Sequence, residues 1–446
     1  MPRPILSRRR FLAASLVAPC AAGLWPRLAW TQPPEVASPR ATDGDERHEP
    51  DWDERLTLTV GQQQGDIVGR DDKALQAAVD YVARMGGGTV KILPGTYTLR
   101  NSISLPSRIR LLGSGPETII TKHASETIEF AEDSDWYDQE ITLKNAGGLR
   151  VGDGVTLRAE DTSRSGNLVI KRTIVARSGN RFKINDGLRQ NLWIKGAPTC
   201  STVFPLLTSE YTSDVVIEDL ALDGNRENNA HLDGNYGGCI FLQDCNRYTF
   251  RNVEARNNNG DGFSFQICHD VRVENCWSHD NADLGVHPGS GSQRPVITGC
   301  KLERNKIGLF WCWGVKYGLA EDNRILDNGD YGVSIGHNDT DNVMRRNEIV
   351  GSGKVGLLFR DDGRGLDFWA NRNTFEHNRI IDTGDADGVA IDIQGQTKDL
   401  RIANNELRET RQPMNRTGIR IGSDTQRIDL ADNKIEGFAH SIVRRG

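Results

Sequence analysis

Gly262-Phe-Ser-Phe265, Gly285-Val-His-Pro288, Gly308-Leu-Phe-Trp311, Gly332-Val-Ser-Ile335, Gly356-Leu-Leu-Phe359, Gly388-Val-Ala-Ile391 and Gly418-Ile-Arg-Ile421 are variants of one phrase, a glycine followed by apolar-x-apolar. The glycines lie 23, 23, 24, 24, 32 and 30 residues apart, and Cys239-Ile-Phe-Leu242 is an earlier copy with cysteine in the glycine position. A second column holds Asn323, Asn347, Asn378, Asn405 and Asn433, each followed two residues later by Ile or Leu, with Cys276 and Cys300 in the same position upstream. Segments this short cannot enclose a core alone. Stacked, they bury a continuous one, each strand pairing in parallel with its copy about 4.8 Å away. An inward Asn at each turn can bond the neighbouring amide and satisfy backbone groups that would otherwise go unpaired. No repeat contains an amphipathic helical run, which disfavours leucine-rich and other helical solenoids. The period predicts an all-β solenoid of the parallel β-helix type.

The composition agrees. Forty-seven glycines against 16 prolines, without a three-residue period, exclude collagen and imply many turns, while 37% hydrophobic residues and a mean hydropathy of -0.53 are too apolar for a disordered polymer. The formal charge is -6, falling to about -11 without the five arginines that precede Trp30, so nucleic acid is not an expected partner. Ser7-Arg-Arg-Arg-Phe-Leu12 precedes an apolar stretch, Ala13 to Leu24, that is too short to span a bilayer. It resembles a twin-arginine export signal, which implies a periplasmic or secreted protein with no membrane span. The expected divisions are a signal over 1–30, a disordered linker rich in Pro, Asp, Glu and Arg over 31–55, and a β-helix domain over 56–446. Seven cysteines follow the leader without a CxxC metal pair, and Cys276 with Cys300 can form a disulfide if their geometry permits.

Asp71 to Arg84 reads as an amphipathic helix with an acidic N-cap. The order that follows is informative: Ala74-Leu-Gln-Ala-Ala78 in that helix, then Gly86-Gly-Gly-Thr-Val90, then Leu93-Pro-Gly-Thr-Tyr97. This resembles the opening of the pectate-lyase superfamily, in its rhamnogalacturonase and epimerase-like branch. The resemblance implies a right-handed single-stranded parallel β-helix capped at its N-terminal end by the helix. It specifies architecture strongly and reaction weakly. Residues 140 to 200 break the period, and alternation in Leu149–Leu157, Leu168–Ile174 and Arg181–Ile184 predicts a small inserted antiparallel β region beside the coils.

Equivalent positions in successive coils lie side by side, so the register proposes a site. His337 and Asp361 share a row one coil apart, where a carboxylate can orient an imidazole for proton transfer, and Arg360 beside them can hold a sugar carboxylate. His287 lies two coils before His337 and is a second catalytic candidate. Phe310 and Trp313 are sugar-stacking candidates, and Asp392 and Arg364 complete the substrate-binding set. The repeat lengthens just after Asp361, which suggests a cleft wall with Asp362, Arg364 and Asp367. Asp339 and Asp341 can ligate calcium with Asp362 if their turns converge; no other metal or cofactor is expected. The polygalacturonase set is out of order here, and the Asp-Pro-His of alginate epimerases is only echoed by Asp283 and His287, so neither set transfers. These residues point to an enzyme that cleaves an acidic, uronate-containing polysaccharide, with β-elimination favoured. The alternatives are a glycoside hydrolase, using Asp361 with Asp392 or Asp283, and a noncatalytic glycan-binding β-helix. A monomer or a homotrimer fits either alternative.

Overall fold

The structure is a computed structural model that describes residues 50–445; the expected export signal and most of the expected linker lie outside the described residues. Each repeat folds into a coil of three short strands. One coil contains Phe263–Gln266, Arg272–Glu274 and Trp277–His279, and the next contains Leu284–Gly289, Val296–Thr298 and Lys301–Glu303. Corresponding strands pair in parallel, Ser264 with His287, Val273 with Ile297 and Ser278 with Leu302. The first strands of the coils form an 11-stranded sheet and the others a 22-stranded sheet. One apolar core runs through the stack from Val60 to Ile421.

The corner between the second and third strands explains the asparagine column. Asn275, Gly299, Asp322, Arg346, His377, Asn404 and Asp432 all have φ between 52° and 64°, the left-handed region that turns the chain sharply. The residue after each of them points inward. There the ladder forms: Cys300 N donates to Asn323 Oδ1 at 2.9 Å, Asn323 N to Asn347 Oδ1 at 3.1 Å, Asn347 N to Asn378 Oδ1 at 2.9 Å, and Asn378 N to Asn405 Oδ1 at 2.9 Å. A second ladder, which the repeat phrase did not reveal, links Asn258, Asn281, Asn305 and Asn328 at the next corner. Cys276 and Cys300 lie in the inward row as buried free thiols.

One register differs from the sequence expectation. Leu357 pairs with Ile391 and Leu358 with Asp392, so Ala390 rather than Gly388 is the counterpart of Gly356. A two-residue slip preserves the alternation of faces, and Val389, Ile391 and Ile393 all satisfy the apolar pattern, so periodicity alone cannot fix it. The correction moves Asp392 into the outward row of His287, Phe310, Ser334 and Leu358.

The helix α1, Asp72–Arg84, is capped by Asp71, whose carboxylate accepts from Ala74 N at 3.2 Å. Its buried face, Leu75, Ala78, Val79 and Val82, closes the first coil against Leu56–Gly61 and Gly88–Ile92. The inserted region begins earlier than expected, at Thr127–Glu129, and forms a six-stranded antiparallel sheet ending with Thr199–Ser201. It has its own core, including Phe130, Leu157, Phe182 and Cys200.

Candidate functional site

The outward face of the 11-stranded sheet carries the candidate residues. His287 sits in that row between Ser264 and the position of Phe310. Its Nδ1 lies 2.7 Å from Asp261 Oδ2, and both side chains are almost wholly enclosed, with 3% and 0% exposure. Asp261 Oδ1 also accepts from Leu284 N at 3.1 Å. Burial pushes the Asp261 carboxyl above the usual carboxylate range, while the His287 contact pulls it down. The loop around Gly234 packs on this pair: a β-carbon on Gly234 would fall 1.8 Å from Asp261 Oδ2, and Gly234 O accepts from Ser264 Oγ at 2.6 Å. With Nδ1 held by a carboxylate, Nε2 is the remaining ring nitrogen, and it is buried without a hydrogen-bond partner. On the adjoining strand Gln266 pairs with Gly289, spends its amide on Ser264 Oγ at 3.1 Å, and leaves Oε1 buried and unpartnered. Both atoms keep hydrogen-bonding capacity that a further group can use.

Phe310 and Arg360 extend the site along the row. The Phe310 ring stands edge-to-face with His287, 5.3 Å between centroids, and the Arg360 guanidinium lies 4.4 Å from the centroid of the same ring. Arg360 donates from Nη1 to Ser334 Oγ at 2.9 Å, from Nη2 to Trp311 O at 3.0 Å and from Nε to Asp362 Oδ2 at 3.1 Å. Those bonds hold the fork rigidly and leave two of its five N–H donors for an anion. Asp339, fully buried below Arg360, accepts from Val315 N and Gly336 N, and burial pushes its carboxyl up to about 6.

The expected His337–Asp361 pair does not form. The His337 ring is fixed elsewhere, with Nδ1 between Asp362 O at 3.1 Å and Arg364 N at 3.0 Å. It packs on Trp313 at 4.7 Å and against the edge of Phe368 at 5.5 Å. Asp361 is exposed and faces the following coil, where a β-carbon on Gly395 would lie 2.8 Å from its Oδ1. At the bend that ends the strand, backbone direction rather than row membership decides where a side chain points. The sequence therefore placed the two residues in adjacent coils without placing them in contact.

The remaining candidates separate in the same way. Arg364 covers Trp313, with its guanidinium 4.7 Å from the ring, so this aromatic surface, 41% exposed, is shared with a cation. Asp392 is closed off by Arg420, at 2.5 and 2.8 Å, and by Gln394 Nε2 at 2.6 Å. Asp283 meets His231 Nε2 at 2.5 Å. The calcium expectation is not met by the donors: Asp339 faces backbone amides, Asp341 faces Arg372 at 2.8 Å and Asp362 faces Arg360. Among the described residues no three His, Cys, Asp or Glu side chains group as metal ligands.

Asp261 was missed from sequence. In the register of the structure this row reads Asp261, Leu284, Ile307, Tyr331, Val355, Val389 and Thr417, with one carboxylate in an otherwise apolar or neutral series; in the sequence column Asp387 precedes Gly388, so Asp261 does not stand out there. In the later coils Val355 and Val389 of this row join Leu358 in a small apolar cluster.

A family model described as "Right handed beta helix region" matches residues 220–371. The chain is 26% identical over 298 residues to the mannuronan C5-epimerase AlgE1 of Azotobacter vinelandii, a match covering 66% of this chain and 15% of that protein. The chain therefore spans only a small part of that relative. Among solved structures, the A-module of the Azotobacter vinelandii mannuronan C-5 epimerase AlgE4 superposes with a TM-score of 0.56 at 18% identity, covering 87% of this chain and 98% of that one. The Streptococcus pneumoniae surface adhesin PfbA superposes with a TM-score of 0.53 at 13% identity, covering 86% and 93%. No described helix is long and apolar enough to cross a membrane. The coil geometry and these likenesses agree on the fold: the chain is a right-handed parallel β-helix.

Proposed function

We propose that this protein is an exported enzyme acting on a uronate-containing polysaccharide, with His287 as the proton-transfer group. The observation that carries the reading is the unpartnered Nε2 of an imidazole whose other nitrogen is held by a buried carboxylate. Such a pair takes a proton at a defined atom, and Asp261 stabilises the imidazolium that results. Arg360, on the far side of Phe310, neutralises the sugar carboxylate as negative charge spreads into it when the adjacent carbon loses its proton. A single available imidazole nitrogen suits β-elimination in which one group takes the ring proton and returns it to the departing glycosidic oxygen. Inversion at the same carbon needs a second proton donor on the opposite face of the ring. Epimerisation is the second reading, favoured by the likeness to mannuronan epimerases.

The test uses purified full-length protein with oligomannuronate, oligogalacturonate and neutral β-glucan. Elimination gives ultraviolet-absorbing unsaturated ends on a uronate. Epimerisation exchanges the ring proton in heavy water without shortening the chain. New reducing ends without unsaturation indicate hydrolysis. The absence of all three signals on every uronate overturns the enzymatic reading and leaves a glycan-binding protein.

A further inference from the structure

The inserted sheet contributes two cations that lack the carboxylate contacts found elsewhere on the surface. Arginines along the coils typically meet acidic partners, as Arg247 meets Asp214, Arg294 meets Asp270 and Arg427 meets Asp399. Lys171, on the strand Asn167–Ser178, makes no ion pair with another described residue; its ammonium lies 3.6 Å from the centroid of the Phe241 ring. Burial pushes this amine down to about 8, and the charge of Glu210 partly offsets that shift. Arg172 directs its guanidinium to the carbonyls of Lys171, Asp186 and Leu188, and again to that of Gly187, so it is a fixed cation on peptide oxygens alone. Removing a cation from water is costly unless an anion replaces the lost hydration. Lys171, which lacks even the carbonyl partners of Arg172, gains most from an incoming carboxylate.

Both cations line a cavity of ≈ 600 Å³ between the inserted sheet and the outward face of the first coils. The cavity also reaches Arg189, Glu210, Tyr236, Gln266 and Ser290. Arg189 is 3.5 Å from Asp186, and Glu210 is the one carboxylate in the lining. The lining also holds Gln266, whose Oε1 is unpartnered and whose strand pairs with the strand of His287. Phe241 stands two coils before His287 in the same row, about 10 Å along the stack.

We infer that this groove is a distal subsite for an acidic glycan, with Lys171 receiving the carboxylate of a uronate bound beyond the one at His287. The inference rests on the proposed function and assigns the inserted sheet a role in substrate length and charge selection. It predicts that affinity rises steeply once an oligomer is long enough to touch both places.

The test is calorimetric binding of di- to hexa-oligomannuronates, with cellohexaose as the neutral control, to full-length His287→Ala, in which turnover is expected to be too slow to disturb the titration. The same titrations are run on His287→Ala combined with Lys171→Met and with Lys171→Arg. Methionine keeps the packing over Phe241 and removes a buried charge, and a thermal melt checks the fold of each variant. The expected result is a roughly tenfold loss of hexamer affinity with methionine, little change for the dimer, and retention of most affinity with arginine. Equal hexamer affinity with and without the lysine charge overturns the subsite while leaving the proposed function standing. Failure of His287→Ala, with Lys171 intact, to bind any uronate oligomer overturns both.

Discussion

Asp392 and His287 occupy the same outward row of the 11-stranded sheet, four coils apart, and the two places use their charged groups differently. Around Asp392 every demand is met: Arg420 grips both carboxylate oxygens and Gln394 adds a third bond. Around His287 the carboxylate of Asp261 is also saturated, yet the imidazole keeps one buried nitrogen unmatched and Gln266 keeps one buried oxygen unmatched. Position in the row selects residues that face outward. Unsatisfied bonding capacity on that face separates the proposed site from a closed ion pair.

Substitution on activity gives the widest separation between the two places. His287→Ala is expected to lower turnover on the responsive uronate by about 10²–10⁴-fold. Asp261→Asn should act in the same direction, with a changed pH–rate profile, because it removes the group that fixes the ring. Asp392→Asn should leave turnover within about twofold of wild type, since it lies outside the contacts of His287 and Arg360. Equal losses at both places would erase the distinction. Between these extremes, Arg360→Ala should cost about 10²-fold in kcat/KM, with Arg360→Lys intermediate because lysine cannot reproduce the three anchored bonds.

Stability reverses the ranking. Arg420→Ala leaves Asp392, 2% exposed, with only Gln394, and a cost of about 2–3 kcal/mol in denaturant unfolding is expected after allowing for the partial exposure of the arginine. Turnover per folded molecule should be unchanged. Asn378→Ala belongs with this group, because it removes the acceptor of Asn347 N and the donor to Met344 O inside the stack. About 2 kcal/mol is the expected loss, checked in the same experiment.

The contrast also explains what the sequence could convey. Coils, the inward asparagines, the capping helix and the inserted sheet are repetitive or strongly periodic, and burial enforces them on every residue in a column. Row membership of His287, Phe310 and Arg360 followed directly from that period. The Asp392 register did not, because a two-residue slip satisfies the same alternation. The His337–Asp361 contact failed because both residues lie beyond the regular strand, where the chain bends and each side chain follows its local backbone. Asp261 lay one residue outside the phrase that defined the repeat, in a position apolar in most other coils.

The smallest effect concerns Asp339, which is as deeply buried as Asp392 but faces two backbone amides, with the Arg360 guanidinium 3.7 Å away. Burial raises its carboxyl from the ordinary 3.8 to about 6, so between those values the folded protein binds a proton that the unfolded chain has released. Its contribution to stability is therefore greatest below pH 4, declines as pH rises toward 6, and levels off above that. Asp339→Asn removes the titration but satisfies only one of the two amides through its single carbonyl oxygen, so it carries a constant cost and the slope is the quantity to read. Thermal melts of both proteins from pH 4 to 7 should show wild type losing stability relative to the variant up to about pH 6 and running parallel to it beyond. Parallel curves throughout would mean that Arg360 compensates the buried charge fully, which would make this carboxylate resemble Asp392 rather than Asp261.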